Sequence, residues 1–112
     1  MRERKFIIIE QLNGERQFRA GYVFYHSDLL NKNESDKQVV GGGMFMFDHM
    51  DKTIIFFGKS HDFGIVDPDE MNEIIKQQEE DIKLNLSFVS ESLDGVDDLS
   101  EYEIKNRISY YC

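Results

Sequence analysis

The sequence predicts a single α+β domain, a mixed α/β fold with two main helices packed on one sheet. Three observations point there. Short runs rich in β-branched and aromatic residues recur along the chain and read as strands. A long stretch after Asp67 repeats apolar residues at helical spacing. Finally, 112 residues with one proline and no repeat or linker-like tract offer no place to divide the chain. The expectation is one domain over residues 1–112, with a sheet of about five to six strands. Its core spans about residues 4–89, and residues 90–112 form an acidic C-terminal extension.

The elements follow in order. Lys5 to Gln11 (KFIIIEQ) reads as a buried strand, and Asn13-Gly14 as a hairpin turn leading to a partner strand over Arg16 to Tyr25. Ser27 can cap a short helix through Leu29 and Leu30 that stops before the polar run Asn31 to Asp36. Lys37 to Met46, apolar around Gly41, Gly42 and Gly43, reads as a strand. Asp51-Lys52 reads as a turn, and Thr53 to Phe57 (TIIFF) as a central strand. The main helix begins with Asp67 as cap, Pro68 in the first turn and Glu70 completing a capping box. Met71, Ile74, Ile75, Gln78 and Ile82 form its inner stripe. Lys83 to Val89 (KLNLSFV) alternates as a returning strand does. An acidic loop from Glu91 to Asp98 and a short terminal element with Leu99, Tyr102, Ile104 and Ile108 complete the chain.

Composition narrows the class. The 14 Phe and Tyr residues argue against disorder. The sole cysteine, Cys112, excludes an internal disulfide or a Cys-rich zinc site. The longest aliphatic or aromatic runs, Phe6 to Ile9 and Ile54 to Phe57, are too short for a membrane span or a signal-peptide core. A cytoplasmic, monomeric protein without membrane or nucleic-acid partners is expected. The net charge of −9 is unevenly placed: residues 1–60 balance to +1 and residues 61–112 to −10. Any anion site belongs mainly to the first half.

Two segments can carry chemistry. His26, in Phe24-Tyr25-His26-Ser27-Asp28, lies where a strand ends; an imidazole there can serve as a general base or be an ordinary hydrogen-bonding side chain. Gly58-Lys59-Ser60-His61-Asp62-Phe63-Gly64 follows the Thr53–Phe57 strand. Its consecutive N–H groups can converge on an anion, with Ser60 as a hydroxyl donor, or it can be a plain connection. It lacks the spacing of a P-loop. His26, His49 and His61 with Asp48, Asp51 and Asp62 show no metal-binding spacing, and Ser60 lacks a nucleophile-elbow context. Neither a metal nor a cofactor is expected.

Taken together, these segments resemble the Janus/Ocnus family, which includes phosphohistidine phosphatases. The resemblance lies in the ungapped stretch Gly41 to Gly64 (GGGMFMFDHMDKTIIFFGKSHDFG), in Tyr25-His26-Ser27-Asp28, which is similar to the family's Tyr-His-x-Asp signature, and in the opening strand Lys5 to Ile9. It implies a phosphohistidine phosphatase-like fold and metal-independent hydrolysis of phosphohistidine or other phosphoramidates. His26 would be the catalytic base. Lys5, Ser60 and the amides around His61 and Asp62 would bind the phosphoryl group. The substrate would be a phosphohistidine-containing protein or a small phosphoramidate. Met44 stands where the family commonly has an arginine, and Asp62 replaces a small residue. Arg19 stands near the position of a family arginine. A second expectation follows from these departures: a non-catalytic Janus-fold module that binds a protein partner through its acidic C-terminal half.

Overall fold

The computed structural model describes residues 1–95 and 98–108, with the backbone alone at 91–94. Cys112 and Asp97 lie outside the described residues. Among these, five strands form one sheet: β1 (Glu3–Glu10), β2 (Arg16–Val23), β3 (Val39–Asp48), β4 (Thr53–Phe57) and β5 (Glu103–Asn106). A single α-helix, α1 (Pro68–Asp94), and two short 3-10 turns, His26–Leu29 and Asp36–Gln38, complete the fold. The strand order is β2-β1-β3-β4-β5. Neighbours run antiparallel except β4 and β5, which are parallel. A parallel pair needs a long crossover, and α1 lies within it.

The burial of β1 explains its apolar run. Phe6, Ile7, Ile8 and Ile9 are all fully buried, because β2 and β3 flank the strand and both faces are covered. On one face Phe6 and Ile8 join Phe18, Phe45, Phe56 and the inner residues of α1. On the other, Ile7 and Ile9 pack with Leu29, Leu30 and Phe63. Each such side chain contributes about 1.5–3 kcal/mol. Phe6, Phe18 and Phe56 meet with ring centroids 5.1–5.6 Å apart, an attractive aromatic geometry. The β1–β2 hairpin closes as expected at Asn13-Gly14, with Gly14 at φ 86° and the Gln11 N–H donating to the Glu15 carbonyl at 2.8 Å.

Two expectations about helices need correction. Lys83–Val89 is not a strand; α1 continues through it, across a kink at Gln78 (φ −125°, ψ 20°), and runs on over positions 91–94, where a loop is expected. The apparent alternation is the superposition of two helical stripes. Ile82, Leu86 and Ser90 are buried, while Leu84 and Phe88, two positions out of step, are 60% and 63% exposed. No helix breaker intervenes before Gly95, which ends α1 at φ 74°. At its start, the Asp67 carboxylate accepts from the Glu70 N–H at 3.1 Å, and the Glu70 carboxylate pairs with Arg16 Nε at 2.7 Å. The Gln78 amide donates to the Arg16 carbonyl at 2.8 Å, which holds the kink over β2.

The other predicted helix, at Ser27–Leu30, is only the single 3-10 turn His26–Leu29. It is closed by the Asp28 carboxylate, which accepts from the Tyr25 N–H at 2.9 Å, and not by Ser27. The fifth strand comes instead from the terminal segment: β5 joins β4, and Leu99, Tyr102 and Ile108 enter the main core. No helix among the described residues is long and apolar enough to cross a membrane.

Candidate functional site

Volume does not select the site. A cavity of about 660 Å³ beside the β1–β2 hairpin and one of about 450 Å³ against the outer side of α1 hold no histidine. A cleft of about 460 Å³ on the sheet face opposite α1 brings two histidines together with lysine and carboxylate side chains. Glu3 and Lys5 reach it from β1, and Phe24, Tyr25 and His26 from the segment after β2. Met44 comes from β3, and Lys59, His61 and Asp62 from the loop after β4.

His26 is the most constrained of these. It is 5% exposed, and Nε2 lies 2.9 Å from the Gly43 carbonyl. A carbonyl only accepts, so Nε2 carries the proton and the neutral ring keeps its lone pair on Nδ1. Burial holds the His26 pKa below the usual 6.5. The hydrogen bond to Gly43 opposes that shift, Lys5 reinforces it, and the charges of Asp62 and Glu3 oppose it. His26 is therefore a neutral base at pH 7. The ring fits because residue 42 is glycine: a Cβ there would stand 3.1 Å from His26 Cδ2 and 2.5 Å from the Phe6 carbonyl oxygen.

The loop after β4 is pinned at its ends. Gly58 and Gly64 adopt φ 73° and 80°, which side-chain-bearing residues rarely do. Ser60 and Gly64 exchange backbone hydrogen bonds at 3.1 and 2.9 Å, and the Gly42 N–H donates to the Gly64 carbonyl at 3.1 Å, tying the loop to β3. Ser60 is 1% exposed and lies beneath the cleft, where its Oγ accepts from the Phe63 N–H at 3.1 Å. The N–H groups of His61 and Asp62, at the apex, donate to no acceptor among the described residues. Lys5 Nζ donates to the Phe24 carbonyl at 2.5 Å, leaving two ammonium protons for a ligand.

Lys5, His26, His61 and Asp62 thus share one cleft, while Ser60 shapes the loop from below. Arg19 is elsewhere: its guanidinium forks onto the Glu34 carboxylate and donates to the Leu29 carbonyl at 3.2 Å, bracing the segment that carries the 3-10 turns. His49 is also committed, Nδ1 sharing a 2.9 Å hydrogen bond with the Tyr102 hydroxyl. No group of three or more His, Cys, Asp or Glu among the described residues is arranged to hold a metal ion. Sequence reasoning missed Glu3 and Phe24. Glu3 could have been found from the two-residue period of β1, which puts it on the face of Lys5; Phe24 carried no comparable signal.

Comparison with curated proteins finds no significant match. The sequence model of the Janus/Ocnus family (Ocnus) matches residues 7–83, more than half of the chain. That stretch runs from the middle of β1 into α1 and contains His26, the three glycines of β3 and the whole Gly58–Gly64 loop. The chain therefore belongs to the Janus/Ocnus family.

Proposed function

We propose that this protein is a phosphohistidine phosphatase-like hydrolase that cleaves the N–P bond of phosphohistidine or a related phosphoramidate without a metal. The observation that carries the reading is His26, neutral and fixed through Nε2, in one cleft with Lys5 and the two free N–H groups of His61 and Asp62. Phosphoryl transfer asks a protein chiefly for positioning and electrostatic stabilisation. The N–H groups of His61 and Asp62 donate to phosphoryl oxygens, with Lys5 and Lys59 supplying positive charge. Ser60 keeps the loop in shape through Phe63. His26 Nδ1 takes a proton from the attacking water as its oxygen bonds to phosphorus. The N–P bond breaks with its electron pair going to the leaving nitrogen, which takes a proton from solvent as it departs, and His26 then releases the proton it gained. Inorganic phosphate and the unmodified amine or imidazole are the products.

The test is 31P NMR of free phosphohistidine incubated with the protein and a chelator. Conversion to inorganic phosphate faster than in buffer supports the reading, and conversion at the buffer rate refutes it.

A second reading is a protein-binding module acting through the acidic C-terminal half. It is favoured by Leu84 and Phe88, exposed one turn apart on α1, near a cavity where the carboxylates of Glu79, Glu80 and Asp98 outnumber the one cation, Lys83. A cationic amphipathic peptide would dock there by its apolar face. Deleting residues 90–112 is a poor test, because Leu99 and Ile108 are core residues. Calorimetric titration of such a peptide into wild type and the Leu84→Ser/Phe88→Ser variant is better. Equal affinities refute the surface.

A further inference from the structure

The charge of the cleft is unusual for a phosphoryl site. Lys5 and Lys59 are matched one for one by Glu3 and Asp62 among the residues that line it. Glu3 and Asp62 are exposed, and neither forms an ion pair with any described residue. Their fields reach the site itself, since both charges act on His26. A phosphoryl group brings nearly two negative charges of its own. Two unpaired carboxylates beside it are repulsive unless the ligand also carries a cation.

We propose, building on the hydrolytic reading above, that the preferred substrates carry a Lys or Arg next to the phosphorylated residue, its cation pairing with Glu3 and Asp62. The phosphoryl oxygens then face Lys5, Lys59 and the loop N–H groups, so each sign of cleft charge has its counterpart. Exposed pairs are individually small, and two of them give a preference of about threefold to tenfold that salt weakens. A basic flank also speeds encounter with the strongly acidic protein.

The experiment uses two phosphohistidine peptides that differ only in Lys or Glu at the flanking positions, with kcat/KM measured at low salt. Phosphonate versions that cannot be hydrolysed give the corresponding Kd values. The expected result is a Lys preference of about threefold to tenfold in both quantities, falling toward one in Glu3→Gln/Asp62→Asn and in high salt. Equal values for the two peptides, or a preference unchanged in the double variant, overturn the proposal. Should neither phosphopeptide be cleaved, the hydrolytic reading fails by itself, and the phosphonate Kd ratio still decides the preference.

Discussion

Replacing Gly42 by alanine probes the packing on which His26 depends. The added Cβ would lie 2.5 Å from the Phe6 carbonyl oxygen, 3.2 Å from Ile7 Cγ2 and 3.1 Å from His26 Cδ2. The first of these neighbours is backbone at Phe6, fully buried in β1 between β2 and β3, so it cannot turn aside. Overpacking of this kind costs about 1–3 kcal/mol, and a backbone clash puts the cost near the upper end. At about 4 °C per kcal/mol for a domain of this size, Tm should fall by roughly 10 °C. Gly64→Ala is the comparison: no atom lies within 4 Å of the new Cβ, and only φ 80° penalises it, by about 1–2 kcal/mol. Thermal unfolding followed by circular dichroism measures both. The reasoning is refuted if Gly42→Ala melts within about 2 °C of wild type, or above Gly64→Ala.

Other outcomes follow from the same geometry. Leu86→Ala, at a fully buried site, should cost about 2–5 kcal/mol, whereas Leu84→Ala should change stability by less than about 0.5 kcal/mol. Denaturant titration of the pair checks the helical register, because in a strand the two side chains would share a face. The hydrogen bond from Arg19 holds the Glu34 carboxyl below its usual value of 4.5. The pair's contribution is therefore present above pH 4.5 and lost as pH falls through the lowered pKa. Glu34→Gln should cost about 1 kcal/mol at pH 7 and flatten the acid limb of a stability–pH curve. His26 also has a lowered pKa, so its stabilisation is complete above pH 6.5 and declines as pH falls through the folded-state value. In the proposed reaction, where His26 serves as the base, the acid limb of kcat/KM should have its midpoint below pH 6.5; a midpoint above 6.5 would contradict a neutral, buried imidazole.

Much of this architecture is legible in the residues. Lys5–Gln11 and Thr53–Phe57 stand out because strands buried on both faces become continuous β-branched and aromatic runs. The start of α1 is readable because Asp67 and Pro68 are local signals that act within one turn. Lys83–Val89 misleads because two helical stripes two residues apart mimic a strand's period, and only tertiary contacts show which leucine is inside. β5 is hidden for the opposite reason: four residues, half of them charged, carry no pattern, and pairing with β4 makes them a strand. At the site, the family resemblance brings forward His26, Lys5 and the loop. The inward turn of Ser60 Oγ depends on the 60–64 backbone closing on itself, which no residue type announces. Arg19 stands near the position of a family arginine, but Glu34, 15 residues further on, claims its guanidinium.

Everything in the functional account converges on one imidazole, so the most direct measurement compares phosphate release from phosphohistidine by wild type and by His26→Ala. Circular dichroism first confirms that the variant is folded. Removing a positioned general base should lower the rate by about 10²–10⁴-fold, toward the spontaneous rate. Equal rates in the two proteins, or no release above background from wild type, would contradict the account.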